Sequence, residues 1–177
     1  MYQQKQKVRY YRTFNNMKRL LFISAFLLAA LGLSAQASTV FTEANSAYHR
    51  GLDFFNQSLY GLAQKEFRAV MDLLRPVNEP EWKAVKTDAE LHHAKCAVRL
   101  GQQEAEKMVL DFLRENSPSP VANQAALEIG DYYFNNKEYD KALTYYDMAP
   151  AASGPSRDEI QFKKGYSYFV SKKFSQA

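Results

Sequence analysis

The 177-residue chain contains one cysteine, Cys96, so no disulfide can close within it. It has no Gly-x-Ser-x-Gly elbow and no phosphate-cradling glycine loop, which removes the common nucleophilic hydrolases and nucleotide-binding enzymes. Histidines are few (His49, His92 and His93), so nucleophilic catalysis has little support, and the plentiful carboxylates are scattered on polar helix faces. From Thr42 onward no stretch alternates apolar and polar residues long enough for a strand. The main apolar run, Leu20–Leu33, spans 14 residues and is broken only by Ser24 and Gly32. That is short of the ~20 that a bilayer-spanning helix needs. Acidic residues are absent from positions 1–37.

That last absence decides what the net charge means. The formal charge of +4 and a pI near 9.0 suggest an anionic partner. Six basic residues (Lys5, Lys7, Arg9, Arg12, Lys18 and Arg19) sit in 1–37, leaving 17 of the 23 basic residues against 19 acidic ones over 38–177. The remainder is mildly acidic and has no basic stripe, so nucleic acid is not expected as a partner. Met17-Lys18-Arg19, the apolar run and Ser34-Ala35-Gln36-Ala37 form the three parts of a secretory signal peptide with an A-x-A-like cleavage site. The expectation is a leader over 17–37, preceded by an extension over 1–16 that a start at Met17 would exclude. Cleavage would leave no integral membrane span; an uncleaved anchor is the alternative. Gln36 stands where a bacterial lipidation box would need cysteine, so no acyl anchor is expected.

The rest, 38–177, reads as an all-α repeat. Gly130 is followed by Tyr133, Phe134, Tyr139, Ala142, Tyr146 and Ala149. Thirty-five residues later come Gly165, Tyr168, Phe169, Phe174 and Ala177, and an earlier copy is Gly51, Phe54, Phe55, Tyr60, Ala63, Phe67 and Val70. Glycine where helices cross, a small alanine between antiparallel helices and aromatics filling the gap to the next pair give each position a packing reason, enough to outweigh a helix penalty of about 1 kcal/mol per glycine. A degenerate copy places Trp82, Val85, Ala89, His92, Cys96 and Leu100 on one helical stripe, with Ala105, Val109 and Phe112 on the partner helix. Expected units cover 44–76, 80–117, 119–150 and 156–177. Ser119 with Pro120 is an N-cap signal, as is the Ser156/Glu159 capping box.

These spacings resemble the tetratricopeptide (TPR) family over roughly residues 44–177. Ser119-Pro120-x-Ala122-x-x-Ala125 followed by Gly130-Asp131-Tyr132-Tyr133-Phe134 is similar to exported bacterial cell-envelope TPR proteins of the outer-membrane-assembly and Tol-Pal accessory types. The former is a lipoprotein, and Gln36 departs from it. Ala177 falls at the key alanine of the fourth unit, so the expectation is a solenoid stopped in mid-repeat, the N-terminal part of a longer protein, with Phe162, Tyr166 and Phe169 exposed on its last full helix.

The resemblance implies a concave groove lined by the first helix of each unit. Its residues would be Tyr48, Leu52 and Phe55; Leu127, Asp131 and Phe134; and Phe162, Tyr166 and Phe169. The Lys/Asn carboxylate clamp of chaperone-binding members is absent, and a largely aromatic groove suits an apolar or aromatic peptide. Several of these side chains could equally pack between repeats. His92-His93-x-x-Cys96 is the one candidate metal cluster, with His92 and Cys96 on one helix face and Asp88 a turn before, but zinc wants four ligands, and Cys96 lies on the core stripe. The expected function is therefore a non-enzymatic protein-interaction scaffold of the periplasm or cell envelope, without cofactor or metal, its partner a protein or peptide. The alternatives are the substrate-presenting arm of an envelope enzyme whose catalytic domain lies beyond Ala177, and a helical glycan-binding surface protein, which Gln36 disfavours.

Overall fold

A proline in the first turn or a left-handed residue after the last sets most of the helix limits in the computed structural model, which describes residues 39–149 and 155–175. The expected leader, the extension before it, and Ala177 lie outside the described residues. The chain divides into two compact units, Met1–Ser46 and Ala47–Ala177. Of the first, residues 39–46 are described, and they are helical.

Seven helices and no strand are present among the described residues. They are α1 (39–56), α2 (Tyr60–Leu73), α3 (Pro80–Arg99), α4 (Ala105–Asn116), α5 (Pro120–Asn135), α6 (Tyr139–Met148) and α7 (Pro155–Val170). The all-α expectation holds. Pro80 and Pro120 occupy first turns, where a missing N–H costs nothing, and the Ser119 hydroxyl accepts the Ala122 N–H at 3.2 Å to cap α5. α7 begins at Pro155, which puts Ser156 inside the first turn rather than at the cap expected for it.

Odd-numbered helices all end the same way. Ser58, Gly101, Lys137 and Lys172 have φ of 60°, 61°, 63° and 58°. In each case the N–H of the left-handed residue donates three residues back: to Phe55, Val98, Phe134 and Phe169. The next N–H donates five residues back, to Phe54, Ala97, Tyr133 and Tyr168, at 2.8–3.0 Å. This double bond pattern is the Schellman motif, and it turns the chain into the following helix. Phe55/Tyr60, Phe134/Tyr139 and Phe169/Phe174 then meet edge to face across three of these turns, at centroid distances of 5.4, 5.7 and 5.8 Å. The Gly101 turn has Val98 and Gln103 at those places and no ring pair.

Packing runs along the chain: α2 on α3, α3 on α4, α4 on α5, α5 on α6 and α6 on α7. The continuous core joins α3 to α6, with Leu91, Val98, Val109, Phe112, Ile129 and Tyr146 among its buried members. Ala63 and Ala142 are fully buried and let their helices approach closely. Glycine matters most at two points. A Cβ on Gly51 would lie 2.8 Å from Phe67 Cε1, and one on Gly130 would lie 2.6 Å from Tyr146 Cε1. In both pairs the aromatic comes sixteen residues after the glycine and fills the space the missing side chain leaves. α3 departs from the single stripe read from its sequence. Ala89 and Cys96 are buried on one face, Leu91, Ala94 and Val98 on a second, and Leu100 is exposed. A helix packed against both neighbours in the chain needs two apolar faces, and one stripe covers only half of that demand.

Candidate interaction face

Counting back from each left-handed turn residue puts the first helices in a common register. Tyr48, Leu91, Leu127 and Phe162 stand ten residues before it; His49, His92, Glu128 and Lys163 nine; Leu52, Lys95, Asp131 and Tyr166 six; Phe55, Val98, Phe134 and Phe169 three. The candidate residues taken from the sequence occupy the ten-, six- and three-residue positions of α1, α5 and α7.

In α1 these positions are engaged by α3. The Tyr48 hydroxyl donates to Asp88 Oδ2 at 2.5 Å, and His92 Nδ1 lies 3.0 Å from the same carboxylate. Burial opposes the charge on Asp88, yet hydrogen bonds from His92 and Tyr48, then the charges of His92 and Lys95, hold its pKa below the usual aspartate value. Burial, followed by the bond to Asp88, raises the Tyr48 phenol. Phe55 takes the His92 ring edge-on at 5.2 Å and the Lys95 ammonium at 5.3 Å from its centroid. Leu52 is half-buried.

Between α3 and α5 the link is Lys95 Nζ to Glu128 Oε2, 2.7 Å, supported by Gln124 donating to the other oxygen of Glu128 at 3.0 Å. Between α5 and α7 it is Asp131 Oδ1 to Lys163 Nζ, 2.8 Å. These two ion pairs join the same register positions, six before one turn to nine before the next, with the charges exchanged. Asp131 Oδ1 also accepts the Tyr146 hydroxyl at 2.6 Å, so this groove candidate is spent on holding α5 to α6 and α7. Burial works against the charged Lys163, but Asp131 and Glu159 raise its pKa. Leu127 packs against the core, and Phe134 forms a triangle of edge-to-face rings with Tyr139 and Tyr166, at 5.6–5.8 Å.

On α7 the same positions meet solvent. Phe162 is 69% exposed, Tyr166 44% and Phe169 62%, and Phe174 beside Phe169 is 64% exposed. The nine candidates thus divide. Tyr48, Phe55, Asp131, Leu127 and Phe134 are tied to neighbouring helices and Leu52 is half-buried, whereas Phe162, Tyr166 and Phe169 form an open aromatic face continuous with the Phe134–Tyr139–Tyr166 triangle. Tyr139 and Phe174 belong to this face and were absent from the groove set. The step of five residues from Phe134 to Tyr139 and from Phe169 to Phe174 was their signal in the sequence.

The Asp88/His92/Cys96 cluster is differently occupied. His92 Nδ1 is turned to Asp88, and Cys96 is fully buried in the core, where burial pushes its thiol up to about 11. A thiol so placed stays protonated at neutral pH and is a poor nucleophile or ligand. Among the described residues no three His, Cys, Asp or Glu side chains group to hold a metal ion, and no helix is long and apolar enough to cross a membrane. Comparison with protein-family models, curated proteins and solved structures yields no match.

Proposed function

We propose that the chain is a TPR-type array of helical hairpins, exported to the periplasm or cell envelope, and that it works as a non-enzymatic scaffold binding a protein segment. The exposed Phe162–Tyr166–Phe169 face carries this reading. Three large aromatics in one helical register, open to solvent and continuous with a ring cluster, are what a protein-binding patch consists of. The hairpin reading draws support from the repeated Schellman turns and from the two glycine–aromatic pairs at a step of sixteen. The tied residues of α1, α3 and α5 hold the helices in line, and the open aromatic face belongs to α7. An apolar or aromatic segment, helical or extended, is the ligand class such a face accepts.

Capture from envelope extract tests this, comparing the parent chain with Phe162→Ala and Phe169→Ala. Both side chains are exposed, so the fold should be unchanged by circular dichroism. Central aromatic anchors cost about 2 kcal/mol or more on truncation, so bound partners should fall at least ~30-fold. An unchanged set of partners refutes the role of the face. Export is tested separately by mass spectrometry: an N-terminus at Ser38 is expected, and an intact leader on the exported protein refutes cleavage.

A further inference from the structure

We propose that the cavity between α2, α3 and α4 binds a soft monovalent metal ion such as Cu(I), with Met71, His93 and Met108 as its ligands. The cavity measures about 260 Å³, and each of the three helices gives it one of these donors. The donors are 22 and 15 positions apart in the chain, so no local spacing reveals them. They meet because α3 packs against both α2 and α4. Met71 shares its face of α2 with Arg68, His93 its face of α3 with Glu90, and Met108 its face of α4 with Asp111 and Phe112, at steps of three and four. No residue of α7 lines the cavity, so the scaffold reading stands or falls separately.

The donor set selects the ion. A thioether sulfur is uncharged and polarisable, and it holds soft cations while hard ones go to oxygen. Two thioethers and an imidazole suit Cu(I), whereas zinc takes thiolate or carboxylate beside its imidazoles. His93 is ready for the task. His92 beside it is turned to Asp88, but among the described residues no hydrogen bond or ion pair reaches the His93 ring. Burial, and then the charge of Arg68, hold the His93 pKa below the usual histidine value against the pull of Asp72. Its ring is neutral at pH 7, which is the form that ligates a metal. The surrounding charge favours a cation. Arg68 lies 3.6 Å from Asp72, and Asp111 is paired with Arg114 at 2.6 Å, which leaves Glu90 and Glu115 to set the local field. Burial first, and the like charge of Glu115 after it, raise the Glu90 carboxyl against the pull of Lys86. A cation in the cavity would relieve that repulsion. Ala94 and Phe112 are buried and give the sulfurs an apolar backing.

The test uses the full chain under reducing, oxygen-free conditions, with Cu(I) supplied as a complex with a chromogenic chelator that the protein must outcompete. One equivalent of Cu(I) should transfer to the protein. The methyl resonances of Met71 and Met108 should shift with it, and those of the other methionines should not. Met71→Leu and Met108→Leu conserve volume, so circular dichroism and the urea midpoint should stay close to the parent. Each of them, and His93→Gln, should weaken Cu(I) binding at least about tenfold, the loss that even an outer partner of a metal ligand causes. Cys96 is the rival ligand, and Cys96→Ala should leave the affinity unchanged. Failure to draw Cu(I) from the chelator, loss of binding in Cys96→Ala, indifference to the methionine variants, or tighter binding of Zn(II) than of Cu(I) overturns the proposal.

Discussion

Gly130 of α5 and Gly165 of α7 stand seven residues before the left-handed residue that ends their helices, and each is followed by an aromatic pair and a lysine turn. Their surroundings differ completely. Tyr146 presses on Gly130 so closely that a methyl group would clash, whereas nothing lies within 4 Å of a Cβ placed on Gly165. The same local sequence thus produces a helix crossing in one case and an open surface in the other. Local residues make the helix and its turn; whether the aromatics beside them act as core or as contact surface is decided by what packs alongside.

Removing the filler should have the largest effect. Tyr146→Ala empties a buried position and leaves Asp131 without one of its donors, at a cost of about 3–5 kcal/mol by analogy with Phe→Ala in cores, read as a shift of the urea midpoint. Gly130→Ala should cost about 1–3 kcal/mol through overpacking against Tyr146, partly offset by better helix propensity. Gly165→Ala should do the opposite and stabilise by up to about 1 kcal/mol, because it gains propensity and meets no neighbour. If the two glycine variants shift stability equally, the contrast drawn between α5 and α7 is false. Lys137→Gly should stabilise by a few tenths of a kcal/mol, because glycine adopts φ of 63° without the Cβ penalty while loosening the unfolded chain.

A pH effect should be the gentlest. The folded-state pKa of Asp88 is lowered, so its contribution is present above the unfolded value of about 3.9 and lost as pH falls through the folded value. Acid denaturation profiles of Asp88→Asn should therefore be flatter than those of the parent below about pH 4. An unaltered acid limb would detach the Tyr48–Asp88–His92 link from stability.

Much of the helical pattern could be read from one sequence because its signals are local. The sixteen-residue step from Gly51 to Phe67 and from Gly130 to Tyr146 is set by a hairpin of fixed length, and the prolines and Ser119 punctuate α3 and α5. Three of the four left-handed turns escaped notice because serine and lysine occupy them instead of glycine, the usual mark of that conformation. The candidate face was half legible. Spacing identified the exposed aromatics of α7, but it could not reveal that Asp131 is claimed by Tyr146 and Lys163, or Tyr48 by Asp88. Those partners lie 15, 32 and 40 residues away and meet only through helix packing. The second buried face of α3 was missed for the same reason: a helix between two neighbours shows a weak periodic signal.

The exchanged charges of the two ion pairs have a consequence for the history of the chain. On the proposed reading as an array of similar hairpins, the chain could lose or gain a unit by recombination. Deleting the hairpin element that carries α5 would bring α3 against α7 and set Lys95 opposite Lys163. Duplicating α5 would set Asp131 opposite a copied Glu128. Either error places like charges in a largely shielded contact, where the native order places opposite ones. The sequence of signs along the stacked helices is thus a check on unit order, and a rearranged gene would encode a protein that stacks less well than its parent.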